Sequence, residues 1–170
     1  MSALQAAKAY YDDLQKRAAR TAAASLREVG INVVLLHHSR RADEAIEQQW
    51  GGSAAGWDWA EIARRNRTPK SFCLAIWSPD DQLLGMALIT LSSEAATIRY
   101  VEGRPSQDCT YKGKRALIAL EVATNYALGA GLSEIRIHPL NETLAHLYER
   151  TYGFEVVRPR KEEAYYRKRI

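Results

Sequence analysis

Between Leu117 and Leu128 the sequence encodes a helix that is apolar nearly all round, and this stretch constrains the fold more than any other. Leu117, Leu120, Thr124, Ala127 and Leu128 line one face, while Ile118, Ala119, Val122 and Ala123 make the rest apolar too. Such a helix has to be deeply packed, since a surface helix keeps a polar side. Gly129 and Gly131 end it, and Glu134–His138 then alternates as a strand with Ile135 and Ile137 on one face. Upstream, Ser71–Trp77, Leu83–Leu91 and Thr97–Glu102 read as strands. Tight turns at residues 79–82 and 92–94 join them into an antiparallel meander. Downstream, Pro139 breaks the strand and Asn141 suits the N-cap of a helix carrying Leu144, Leu147, Tyr148 and Thr151. Gly153–Val157 and Ala164–Arg169 close the chain as two strands.

Ahead of the meander, Leu4, Ala7, Tyr11, Leu14, Ala18, Ala22, Leu26 and Val29 recur at helical steps until Gly30. Ile31–Leu36 reads as a strand, and short helices follow near residues 42–50 and 57–66. The order predicts a mixed α/β (α+β) domain with a mostly antiparallel sheet and helices on both faces. Residues 31–170 would form that domain and residues 1–30 an added helix, through which a homodimer is one expectation. At 170 residues the chain is a single-domain length that buries about two thirds of its unfolded surface without disulfides or metal.

Two cysteines, Cys73 and Cys109, form no CxxC pair and point to a reducing compartment. Tyr10-Tyr11-Asp12-Asp13 interrupts any signal-peptide core, and no apolar run approaches the roughly 20 residues that cross a bilayer. A cytoplasmic protein without membrane contact is expected. His37 and His38 alternate on a strand and face opposite ways, while His138 and His146 lack a carboxylate at ligand spacing, so no metal is expected. Neither a Gly-x-Ser-x-Gly elbow nor a Gly-x-Gly-x-x-Gly fingerprint occurs.

Chemistry concentrates at Tyr111-Lys112-Gly113-Lys114-Arg115-Ala116, which opens the buried helix. Helix-start N–H groups lack internal partners and carry partial positive charge. With Gly113 and the cations Lys112, Lys114 and Arg115, the segment suits an anion such as a pyrophosphate, or else it is a solvated basic helix start.

The stretches Ile-Arg-Ile-His-Pro-Leu-Asn at 135–141 and Leu-Tyr-Glu-Arg-Thr-Tyr-Gly-Phe at 147–154 resemble the C-terminal half of the GNAT superfamily of N-acetyltransferases. The order of elements from Ile31 onward is similar to that fold as well. The resemblance implies acetyl-CoA as co-substrate and an amine acceptor that attacks the thioester directly. In relatives the phosphate loop reads Gln/Arg-x-x-Gly-x-Gly/Ala; this chain offers Tyr111-x-x-Lys114-x-Ala116, a degenerate version with Gly113 one place early. By the same resemblance, Asn141 contacts the pantetheine arm and Tyr148 protonates the leaving thiolate. The Gly153-Phe154 pair arrives one residue late.

Acyl transfer from a thioester needs a phosphate anchor, an oxyanion donor, a base and an acid. Lys112, Gly113, Lys114, Arg115 and Ala116 are the expected anchor, and the strand at Tyr100-Val101 the expected oxyanion donor. Glu102 is the first candidate base and His138 the second, with Tyr148 as acid. Trp57, Trp59 and Glu61 would wall an acceptor pocket, a carboxylate beside aromatic rings suiting a cationic amine.

Lys plus Arg exceeds Asp plus Glu by four, and the last 21 residues hold seven basic and three acidic side chains. That basic tail keeps open a nucleic-acid-binding module, or nucleic acid as the carrier of the acceptor amine. A partner-binding protein on the same fold without catalysis is the other alternative.

Overall fold

The computed structural model describes residues 1–106, 108–139 and 142–170. Its elements run α1 (Ala3–Glu28), β1 (Val34–His37), α2 (Arg40–Ala45), a π-helical turn (Ile46–Trp50), α3 (Trp59–Arg65), β2 (Phe72–Trp77), β3 (Leu83–Leu91) and β4 (Ala96–Gly103). Then follow α4 (Arg115–Gly129), β5 (Glu134–Ile137), α5 (Glu142–Arg150), β6 (Glu155–Val157) and β7 (Tyr165–Arg169). The strands form one sheet in the order β1-β2-β3-β4-β5-β7-β6. Among the described residues β4 and β5 make the one parallel pair. This is the mixed, mostly antiparallel sheet that the element order predicts. Among the described residues no helix is long and apolar enough to cross a membrane.

Strand alternation sends Phe72, Leu74 and Ile76 of β2 to one face, with Leu84, Ala87 and Ile89 of β3. There they meet α1, α4 and α5. Ala75 and Trp77 of β2, with Leu83, Met86 and Leu88 of β3, point the other way and pack under α2, the π turn and α3. The apolar girth of α4 now has a cause: one side lies on the sheet and another is covered by α1. Leu14, Ala18, Ala19, Ala22 and Leu26 of α1 share a core with Ile118, Ala119, Val122, Ala123 and Ala127 of α4. The helix expected as an addition is thus built into the core, its apolar stripe covered within the chain.

Local chemistry fixes the ends of α1. Ser2 and Gln5 form a capping box, the Gln5 N–H donating to Ser2 Oγ at 3.1 Å and the Ser2 N–H to Gln5 Oε1 at 2.8 Å. At the other end Gly30 takes φ +83°, the Gly30 N–H donates to the Arg27 carbonyl, and the Ile31 N–H reaches back to Leu26. Ile31 and Leu26 are both buried, which completes a Schellman stop. Ile31 and Val33, expected in the first strand, fill the core before β1 begins.

A buried polar node ties α1 to the rest. Gln15, 3% exposed, donates through Nε2 to the carbonyls of Pro69 (3.0 Å) and Ser71 (3.3 Å) and to the Tyr126 hydroxyl (2.9 Å). The Tyr126 hydroxyl in turn donates to the Lys70 carbonyl at 2.7 Å. With Nε2 committed to carbonyls, Gln15 Oε1 accepts, so the His37 Nε2 at 2.7 Å carries the proton. Burial lowers the pKa of His37, and this neutral pairing stabilises the fold above pH 6.5 and fades as pH falls below it. A Gln15→Leu chain leaves these partners unmet and is expected to lose about 2–4 kcal/mol in urea unfolding, at about 1–3 kcal/mol per orphaned buried group.

One irregularity positions the site. Leu88 pairs with Tyr100 and Ile89 with Ile98, so Arg99 is an extra residue, a bulge in β4. The parallel pairing with β5 ends at Ile98–Ile137, level with that bulge. Beyond it the two strands part.

Candidate active site

The gap between β4 and β5 is a cleft with about 260 Å³ of open space, lined by Ile98, Arg99, Tyr100, Val101, Ile137, His138, Leu144 and Tyr148. It brings together four of the residues singled out from sequence: Tyr100 and Val101 on the edge of β4, His138 just past β5, and Tyr148 on α5. β5 pairs with β4 only as far as Ile98, so the stretch of β4 at Tyr100-Val101 turns its edge to the cleft. Asn141 lies outside the described residues.

His138 is half-buried, its ring 6.0 Å from that of Tyr165. Its pKa is lowered, first by burial and then by the charge of Arg99, against the opposing pull of Glu163, the Ala164 backbone and Glu162. The imidazole is therefore neutral at neutral pH, with a nitrogen able to take a proton. Tyr148 is 2% exposed and packs with Tyr152, Phe154 and Tyr166 at ring distances of 6.2, 5.9 and 6.5 Å. Burial, and secondly Tyr152, pushes its phenol up to about 12, so the hydroxyl keeps its proton at neutral pH. The late Gly153-Phe154 pair is accommodated at the end of α5: Gly153 takes φ +73° and the Phe154 N–H closes a wide turn onto the Tyr148 carbonyl at 2.9 Å.

Glu102 has a different task from the one expected. It is 7% exposed and turned to the α3 face. Its carboxylate accepts from Trp59 Nε1 (2.7 Å), the Ala55 N–H (3.0 Å) and Ser53 Oγ, which lies 2.7 and 2.8 Å from its two oxygens. A carboxylate so occupied is a clamp on residues 51–58, not a base open to an amine. Trp59, 2% exposed, lies beneath the surface as part of that clamp. Trp57 is half-buried and stacks edge-on against Tyr100 at 5.0 Å. Glu61 does not face an acceptor pocket either, because Arg64 and Arg65 of its own helix hold it. Those hydrogen bonds, Arg64 first, bring its pKa down to about 2.

The loop from Arg104 to Lys114 also departs from expectation. Tyr111 and Gly113 both take left-handed backbone, at φ 62° and 81°. For Tyr111 this is strained, and its side chain shows what holds it there. The Tyr111 oxygen accepts from the Asn32 N–H at 2.8 Å and its hydroxyl donates to the Gly30 carbonyl at 3.4 Å. Tyr111 thus fastens the loop to the α1–β1 junction. Lys112 and Lys114 are exposed, and Ala116 is half-buried at the start of α4. Arg115 turns back over the sheet instead of outward, and a Cβ at Gly103 would fall within its guanidinium. Its Nη1 and the Nε of Arg104 are buried without a partner among the described residues. Orphaned cationic donors beside the end of β4 fit a ligand with phosphate oxygens.

On the other side of Tyr100 lies a larger groove of about 1010 Å³, bordered by Asn66, Thr68, Ser71, Thr90 and Arg99. It shares Arg99 and Tyr100 with the cleft, so a molecule seated there would meet one held between β4 and β5. Sequence reading missed Arg99 and the 66–71 loop. The signal for Arg99 is present: Ile98 and Val101 pack in one core although three apart, a spacing that a regular strand forbids and a bulge permits. The basic tail is mixed in sign, since Glu155 pairs with Arg167 at 2.6 Å and Glu162 and Glu163 bear on His138.

A mostly antiparallel sheet opened at its one parallel pair, with two helical layers, is the fold of the GNAT acetyltransferases. Solved structures with this fold include an acetyltransferase from Thermus thermophilus, 13% identical, covering 82% of this chain and 98% of its own at a TM-score of 0.60. A GNAT-family acetyltransferase from Staphylococcus aureus is 9% identical over 81% of this chain and 98% of its own, at 0.55. The PaiA N-acetyltransferase from Thermoplasma acidophilum, in complex with coenzyme A, is 16% identical over 82% and 100%, at 0.51. No family model matches the sequence, and no curated protein matches it.

Proposed function

We propose that this chain is an acyl-CoA-dependent N-acetyltransferase. The observation that carries the reading is the cleft between β4 and β5, which places a free strand edge, a neutral imidazole and a protonated phenol around one narrow space. Acetyl-CoA would supply an activated acetyl group as its thioester. The Tyr100-Val101 edge would orient the thioester carbonyl and meet the charge developing on its oxygen. As the acceptor nitrogen bonds to the carbonyl carbon and the C–S bond breaks, His138 accepts the proton from nitrogen. Tyr148 donates a hydrogen bond to the departing sulfur. A phenol near 12 is a weaker acid than a thiol of ordinary pKa about 8.5, so the thiolate takes its own proton from water. The acceptor amine would approach through the groove beside Arg99 and Tyr100.

Isothermal titration with acetyl-CoA tests this directly. A one-to-one complex with Kd between about 1 μM and 1 mM is expected, the usual range for an enzyme's substrate. Silence at millimolar ligand would remove the proposal.

A further inference from the structure

The acceptor side of the site carries charge of one sign. Among the described residues no carboxylate lines the cleft between β4 and β5 or the groove on the other side of Tyr100. Cations do line them: Arg99 borders both spaces, and Lys70, on the loop before β2, borders the groove. Arg99 is exposed, and its Nε donates to Thr90 Oγ1 at 3.2 Å. The two outer nitrogens of its guanidinium have no partner among the described residues, whereas Arg64 and Arg136 are each held by glutamates. Lys70 faces the Tyr11 ring at 5.8 Å and likewise meets no carboxylate among the described residues. Glu162 and Glu163, in the β6–β7 connection, bear on His138 but line neither space.

Hydroxyls complete the wall, Thr68 and Ser71 sharing a hydrogen bond at 2.9 Å. The loop that carries them is held from within, because Gln15 and Tyr126 donate to the carbonyls of Pro69, Lys70 and Ser71. A groove of this charge repels a polyamine, and it lowers the pKa of an amine drawn into it, freeing the nitrogen lone pair for attack. An open guanidinium fork also calls for a pair of oxygens. The place of Arg99 limits how far those oxygens lie from the reacting nitrogen. The same side chain lines the cleft with His138 and its charge acts on that imidazole, so oxyanion and nitrogen sit within a few bonds of each other.

We propose that the acceptor is a small amine with an oxyanion beside its nitrogen, an α-amino acid or a phosphorylated amino alcohol, and that Arg99 determines this specificity by binding the oxyanion. It replaces the cationic acceptor expected beside Glu61, whose carboxylate is taken by Arg64 and Arg65. The inference rests on the acyl-CoA reading and keeps its bond changes: nitrogen–carbon forms, carbon–sulfur breaks, and the proton goes to His138.

Release of coenzyme A thiol from acetyl-CoA by the full chain reads the preference, at about pH 8, well above the ordinary histidine value. The acceptors are the common α-amino acids, each against its amide, O-phosphoethanolamine against ethanolamine, and spermidine. At least one anionic acceptor is expected to exceed its uncharged counterpart about 10- to 100-fold in kcat/KM, mainly through KM, the worth of one or two charge-assisted hydrogen bonds. The responding pair distinguishes carboxylate from phosphate. An amide's amine is the less basic of its pair, so the preference runs against the supply of free base. In Arg99→Met the ratio falls to within about threefold of unity, and Arg99→Lys keeps part of it. A best acceptor that is an amide, ethanolamine or spermidine overturns the inference, as does a ratio that Arg99→Met leaves unchanged. Calorimetric binding of acetyl-CoA with no turnover of any anionic acceptor overturns it and leaves the acyl-CoA reading standing. A chain that does not bind acetyl-CoA ends both.

Discussion

Replacing Glu102 with Ala lowers the thermal midpoint by roughly 10 °C, the largest stability effect expected of a single site. The substitution orphans Trp59 Nε1, the Ala55 N–H and Ser53 Oγ together, all of which reach the Glu102 carboxylate within 3.0 Å. Stranding the buried Trp59 donor costs about 1–3 kcal/mol and the two part-buried donors less each, so a total near 3–5 kcal/mol follows, and a domain of this size shifts by about 2–4 °C per kcal/mol. Glu102→Gln keeps one acceptor oxygen and loses about half as much. Differential scanning calorimetry of the two variants checks this. A base would give the reverse pattern, with full stability in Glu102→Gln, activity abolished and the acid limb of the rate profile gone. Finding that pattern would return Glu102 to the chemistry.

The second large effect falls on His138. Its substitution by Ala is expected to lower kcat/KM for acetyl transfer about 10²- to 10⁴-fold, the usual range for a positioned proton acceptor. The pH profile supplies the sharper reading. Burial and Arg99 lower the His138 pKa, so the neutral form persists to more acidic pH than an exposed imidazole allows. Wild-type kcat/KM should therefore rise with pH through an inflection below 6.5 and level off above it. Arg99→Ala removes a cation that opposes protonation, and the inflection moves up. A His138→Ala enzyme with an unchanged acid limb would exclude His138 as the base.

Elements with strong periodicity were legible in the sequence, and those set by distant partners were not. The meander, α4 and the strand–helix units could be read from Ser71 onward because turns and alternation are local signals. Resemblance singles out Tyr148 and the end of a strand singles out His138; both line the cleft between β4 and β5. The surroundings of Glu102 and Glu61 are not legible in the sequence, because a carboxylate's partners decide its work and Trp59 or Arg64 cannot be assigned to it by composition. Arg115 counts in the sequence as one of three cations at the start of α4. Only the paired glycines at 85 and 103, 18 residues apart and facing each other across two strands, reveal where it lies.

The close seating of α1 on α4 has a consequence for descent. Ala18, Ala19 and Ala22 on one helix and Ala119, Ala123 and Ala127 on the other keep the shared core tight, and Leu14 would lie 3.5 Å from any Cβ at Gly129. The two helices therefore bury one another. A lineage that shed the first would leave the second greasy on its outer side, and would need several polar replacements there at once. Loss of the opening thirty residues would therefore uncover apolar surface on α4 that nothing else among the described residues hides.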